Sequence, residues 1–213
     1  PDDLRKTVAR LAEMGDPRKD APTVTGRPTD SKKFLRSYAL VDIETGKAVG
    51  TKTRFKVRWD DEGAVIFEIK CDEPDMKNLF VTDDVWTGDS IAIQLETQGH
   101  AYYQIEVNPD GKIFDADRHG RLNQRWKSNA TVETERGDDF WSVVVRIPVV
   151  DAEEGAADPN HHVVGAKPGM DSPWYMNVGR SRVRPSGKTS WSFPHTGKPS
   201  YHVPERFAKM VIE

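Results

Sequence analysis

Residues 51–71, TKTRFKVRWDDEGAVIFEIKC, decide the fold. Phe55, Val57 and Trp59 alternate with Arg54, Lys56 and Arg58; beyond the DDEG turn, Val65, Phe67, Ile69 and Cys71 alternate with Ile66, Glu68 and Lys70. A period of two sends successive side chains to opposite faces of an extended chain, so this stretch predicts a hairpin with one buried and one wet face. The same alternation recurs in DSIAIQL (Ile91, Ile93, Leu95), in YYQIEV (Tyr103, Ile105, Val107) ahead of an NPDG turn, and in FWSVVVRIP (Trp141, Val143, Val145, Ile147). Trp174, Met176 and Val178 form a last core-facing set. Strands separated by Pro-, Gly- and Asp-rich turns, with almost no helical period between them, predict an all-β chain: an antiparallel, jelly-roll-like β-sandwich.

Upstream the pattern differs. Leu4, Val8 and Leu11 recur at helical spacing and are followed by Gly15 and Pro17, which predicts a short amphipathic helix over residues 3–14. Residues 15–31 hold three Pro and two Gly and read as linker or an irregular lead-in. The expected organisation is therefore a helical lead-in or the tail of an upstream domain over 1–24, then the sandwich over 25–213.

Composition narrows the function. The 31 Lys+Arg against 34 Asp+Glu leave a formal charge of −3, without the basic field that nucleic-acid binding requires. No apolar run approaches the roughly 18–20 residues of a membrane span. The single Cys71 has no partner for a disulfide within the chain. The opening PDDLRKTVARL carries no basic and apolar leader, which leaves the compartment open. What stands out are six tryptophans, at 59, 86, 126, 141, 174 and 191, in an otherwise polar chain.

The outward positions of the strands are Ser90, Ala92 and Gln94; Tyr102, Gln104 and Glu106; and Tyr175 and Asn177. If these strands are neighbours they make an amide and aromatic face, suited to a neutral, hydroxyl-rich ligand. Sugars present apolar C–H faces and hydroxyl edges, which proteins meet with aromatic rings and planar polar groups. Trp86, in the turn-rich VTDDVWTGDS, and Trp191, flanked by polar residues in GKTSWSFPH, are the candidate rings. The alternative for each is a plug at one end of the sandwich.

The order KVRWDDEG, DDVWTGDSIAIQL, YYQIEVNPDG, WSVVVRIP, WYMNVGR and SWS resembles carbohydrate-binding module family 9 over residues 35–210, with W-x-x-D-S-[IV]-x-[IV] as its most specific piece. The resemblance implies a non-catalytic β-sandwich that clamps a terminal sugar of an oligo- or polysaccharide between two Trp rings. It also implies attachment to a glycoside hydrolase-type catalytic domain in a longer protein, an extracellular or periplasmic location, and structural calcium. By position it makes Trp86 and Trp191 the clamp and Asn177 a hydroxyl ligand. Gln104 stands where the family has an arginine, and Ala92 where it has a glutamate. Arg180, close to Asn177 in sequence, is the candidate for the missing charged contact, or else a solvated surface arginine. Asp83, Asp84 and Asp89 are candidate calcium donors. The DADRHG run at 115–120 opens like a calcium loop but has Trp126 where a bidentate Glu is required.

Two other readings compete. A haem-binding electron-transfer sandwich would use Met76, Met170 or Met176 with His100 or His119, although no C-x-x-C-H attachment occurs. A polysaccharide-active enzyme, glycosidase or lyase, would need converging acids, whereas Asp60 with Asp61 and Asp138 with Asp139 are adjacent turn residues.

Overall fold

The computed structural model describes residues 18–98 and 100–213; the helix predicted over 3–14 lies outside them. Fourteen strands lie among the described residues: β1 Thr23–Pro28, β2 Tyr38–Ala39, β3 Val41–Asp42, β4 Thr53–Trp59, β5 Ala64–Asp72, β6 Ser90–Thr97 and β7 His100–Val107 in the first half. The second half holds β8 Ile113–Asp117, β9 Thr131–Arg136, β10 Phe140–Val150, β11 Val163–Val164, β12 Trp174–Arg184, β13 Gly187–Phe193 and β14 Ala208–Ile212. A six-residue helix, α1 Ala152–Ala157, is capped by Asp151, whose side chain accepts from the backbone N–H of Glu153 and Glu154.

The strands form one curled sheet in the order β11-β10-β5-β4-β1-β14-β12-β6-β7-β8, folded into two facing layers. The hairpin read from residues 51–71 is β4–β5, paired from Thr53↔Cys71 to Trp59↔Val65. Its turn is held by Asp60, whose Oδ1 accepts from the N–H of Glu62 at 3.0 Å and Ala64 at 2.8 Å, and by Gly63 at φ +81°. Phe55, Val57, Phe67, Ile69 and Trp141 of one layer are buried against Ile93, Leu95, Ile105, Trp174 and Met176 of the other. Trp59 meets Trp174 edge-on across the interior at 5.9 Å.

Two features depart from the expectation. The stretch read as linker or irregular lead-in contains β1, with Val24 fully buried. Its TVTGRP alternation is short and interrupted by Gly and Pro, and its partners β14 and β4 are distant in sequence. Those two pairings, together with β10–β11, are parallel, so the sheet is mixed. β1 is the seam: residues Thr23–Gly26 pair with β14, and Arg27 and Pro28 pair with β4, passing the chain from one layer to the other. No helix among the described residues is long and apolar enough to cross a membrane.

Candidate functional site

The outer face of β12, β6, β7 and β8 carries the site. Register places Asn177, Gln94, Gln104 and Ala116 in one row across these strands, and Gly179, Ala92, Glu106 and Phe114 in the next. The segment between β13 and β14, residues 194–207, crosses the β12 side of this face as a strap. The Pro194 carbonyl accepts from Asn177 Nδ2 and from Ser192 Oγ, each at 2.9 Å. Tyr201 lies flat on Gly179, where a Cβ would come within 2.3 Å of its ring, and its hydroxyl lies 3.2 Å from Ser181 Oγ. Only a residue without a side chain admits the ring this closely.

What the strap leaves open is a groove of about 710 Å³ above β7 and β8. One wall is Trp86, 43 % exposed and braced edge-on by Phe114 at 4.6 Å. The other wall is Pro199, Tyr201 and His202; the floor is Gln104, Glu106, Ser181 and Ser190; Arg118 and Lys188 stand at the margin. Trp86 is exposed because its short helical turn, Val85–Thr87, buries Val85 instead and turns the indole outward.

The floor is a connected polar chain. Ser90 Oγ donates to Glu106 Oε1 at 2.7 Å, Gln104 Nε2 donates to Glu106 Oε2 at 3.2 Å, and Gln104 Oε1 accepts from Arg118 Nε at 2.9 Å and Nη2 at 2.6 Å. Burial raises the Glu106 pKa, against the opposing pull of Ser90, Gln104 and the charges of Lys188 and Arg118. Burial and then the Arg118 charge push the His202 pKa down to about 4, so its ring is neutral near pH 7 and available to the Tyr102 hydroxyl, 3.1 Å from Nδ1. Burial lifts Tyr201 to about 12, which keeps it a neutral phenol.

Of the residues singled out from sequence, Trp86 and Gln104 come together in this groove. Asn177 lies on the same face but is fully buried beneath the strap. Trp191 and Arg180 are on the opposite, core-facing side. They are cross-strand partners, Trp191 is 7 % exposed, and the Arg180 guanidinium sits 4.9 Å from its ring centre. The expectation of an exposed Trp191 fails because its polar neighbours Ser190 and Ser192 take the outward positions and the period turns the indole inward. Arg180 is neither a surface arginine nor a ligand contact. Fully buried, it donates to Glu73 Oε2, Thr53 Oγ1 and the Asp72 carbonyl, all at 2.9 Å. Arg182 and Arg184 also engage Glu73, and Arg184 continues to Asp89.

Among the groove residues that the sequence does not point to are Glu106, Arg118, Tyr201 and His202. Glu106 was already on the outward side of the period. The register adds that it faces Ala92 directly across β6–β7, so a carboxylate stands one strand away from the position where the family resemblance implies one. Arg118, similarly, is fastened to Gln104, at the position where the family resemblance implies an arginine. Tyr201 and His202 arrive from the strap and carry no local signal.

The proposed calcium donors do not assemble. Asp83 is fully exposed and paired with Lys112 at 2.9 Å, the Asp84 carbonyl accepts from Thr82 and Thr87, and Asp89 is buried against the Phe80 N–H and Arg184. Among the described residues no three His, Cys, Asp or Glu side chains form a metal cage. Asp115 and Asp117 of the loop-like run bind Ser128 and His100. The haem candidates are scattered as well: Met176 is core, Met170 is 75 % exposed, and His100 stacks on Tyr103 at 4.1 Å. Among the described residues Glu106 is the one acid lining the groove, whereas glycoside hydrolysis uses a facing pair.

No family sequence model matches the chain, and no curated protein sequence does. Solved structures do. A Bacteroides uniformis protein described as carbohydrate-binding superposes with a TM-score of 0.66 at 14% identity, covering 91% of this chain and 100% of its own. A carbohydrate-binding module of family 9 from Caldicellulosiruptor kristjanssonii, solved with cellotriose, superposes at 0.58 with 13% identity over 90% of this chain and 93% of its own. The same kind of module from that organism, solved with glucose, gives 0.58 at 11% identity over 90% and 96%. The chain thus has the β-sandwich fold of family 9 modules.

Proposed function

On that fold, we propose that this protein binds an oligo- or polysaccharide in the Trp86 groove, without transforming it. The observation that carries the reading is a half-exposed indole standing beside a floor of pre-ordered hydrogen-bonding groups, Ser90–Glu106–Gln104–Arg118. A pyranose ring stacks its C–H face on Trp86, opposite the Tyr201 and His202 wall, and turns its hydroxyls to Gln104, Glu106 and Ser190. A hydroxyl bonded to a carboxylate contributes about 1.5–3 kcal/mol, which gives Glu106 the role that Ala92 does not fill. The second stacking surface is Tyr201 rather than Trp191.

In this reading the domain is a targeting module of a longer extracellular or periplasmic polysaccharide-processing protein. The test is titration of a glycan panel against wild type and Trp86→Ala. The variant should lose binding while keeping its circular dichroism spectrum and thermal midpoint; undiminished binding by that variant would sink the assignment.

A further inference from the structure

Averaged over the chain, charge is slightly negative, yet the groove is lined otherwise. Arg118 and Lys188 stand at its margin, and neither is ion-paired among the described residues. Arg118 is held in place by the neutral acceptor Gln104 through Nε and Nη2, leaving Nη1 for an incoming group. Lys188 is exposed, and its ammonium is anchored by the Trp86 carbonyl at 3.3 Å, beside the stacking ring. Beyond Leu122 and Gln124, which border both, a second polar depression of about 890 Å³ continues with Arg121, Arg125, Asn123 and Asn160. The acids along this path are occupied: Glu106 is 4 % exposed and accepts from Ser90 and Gln104, and Asp117 is paired with His100 at 2.7 Å. Four cations along this path, against one buried, hydrogen-bonded carboxylate and one paired one, form a local field that attracts anions even on a net-acidic protein.

We propose that the saccharide taken by this groove is an acidic one, its anionic group held between Arg118 and Lys188 while its ring stacks on Trp86, and the next acidic unit reaching Arg121 and Arg125. This rests on the groove being the saccharide site. The shared chemistry is a sugar bearing a carboxylate or a sulfate ester; Arg118 Nη1 and the Lys188 ammonium can donate to the oxygens of either.

The experiment titrates the full chain with a uronate oligosaccharide, a sulfated oligosaccharide and a neutral oligosaccharide of equal length, each at low and at physiological salt. One of the acidic ligands should bind at least about tenfold tighter than the neutral one, with the advantage shrinking as salt rises, and which of them does so identifies the anionic group. Lys188→Gln and Arg125→Gln change exposed side chains, so folding is not in question. Each should lower affinity for the acidic ligand more than for the neutral one. If the neutral ligand binds as tightly as the acidic ones and Trp86→Ala abolishes it, the acidic preference is overturned while the groove stands. If no saccharide binds, both readings fall.

Discussion

Trp86 and Trp191 show how much one side chain's meaning depends on which face it occupies. Trp191 is sealed between the layers and covered by Arg180, so Trp191→Ala should cost about 3–5 kcal/mol of folding stability. Trp86→Ala should cost about 1 kcal/mol or less, since the indole is 43 % exposed and its ring partner is Phe114. Denaturant melts of the two variants separate these roles. Glu73 is a second residue whose importance its sequence does not announce. Burial would raise its pKa, but hydrogen bonds from Arg182 and Arg184 hold it down at about 2. Removing the carboxylate leaves the fully buried guanidinium of Arg180 without its acid partner and takes one of the acid partners of Arg184, so Glu73→Ala should destabilise by roughly 3–5 kcal/mol. A melt within 1 kcal/mol of wild type, on the order expected for an exposed ion pair, would contradict this account.

Among the elements, the strap of residues 194–207 decides where the groove lies. It covers the β12 side of the face, removes Asn177 from solvent and supplies Tyr201 and His202 as a wall. Its closest approach depends on Gly179. Gly179→Val should lift Tyr201, raise hydrogen exchange through residues 195–203, and weaken saccharide binding without altering the pairing of β4 and β5. Unchanged exchange in that segment would mean that the ring is held by something else. The strap also has a pH signature. The folded-state pKa of His202 is lowered to about 4 from 6.5, so below pH 6.5 the unfolded chain takes up a proton that the folded chain refuses. The stabilisation is complete above pH 6.5 and is lost as pH falls towards 4. Thermal midpoints of wild type and His202→Gln, taken from pH 7.5 down to 4, should therefore change in wild type's disfavour as the medium acidifies. A constant difference would rule the histidine out as the cause. Strand existence was legible throughout this region, because alternation is a property of neighbouring residues. The strap was not, since SFPHTGKPSYHVPE has no period and its position is set by contacts with strands far away in sequence.

At the scale of the molecule, β14 closes the sandwich. It lies between β12 and β1 in the middle of the sheet order, and β1 in turn bridges the two layers. Met210, Val211 and Ile212 are buried there, at about 1.5–3 kcal/mol each against a typical net stability of about 5–15 kcal/mol. Deleting residues 208–213 should abolish cooperative unfolding by circular dichroism; a sharp melt in the truncated chain would show that the layers close without it.

By itself the sequence determined the all-β class, the central hairpin at 51–71, the inward set of each main strand and the candidacy of Trp86, because each follows from local alternation and turn chemistry. Extending the same period one step beyond Val178 would have placed Arg180 inside as well. The tertiary structure alone decided that Asn177 is roofed over, that Glu106 stands opposite Ala92, and that a chain of charge −3 presents Arg118 and Lys188 to one groove. The physical reason is range: which side of a strand a residue occupies is settled by its neighbours. Which side remains open, and which charges gather there, is settled by segments that meet only when the sheet curls and the strap crosses it.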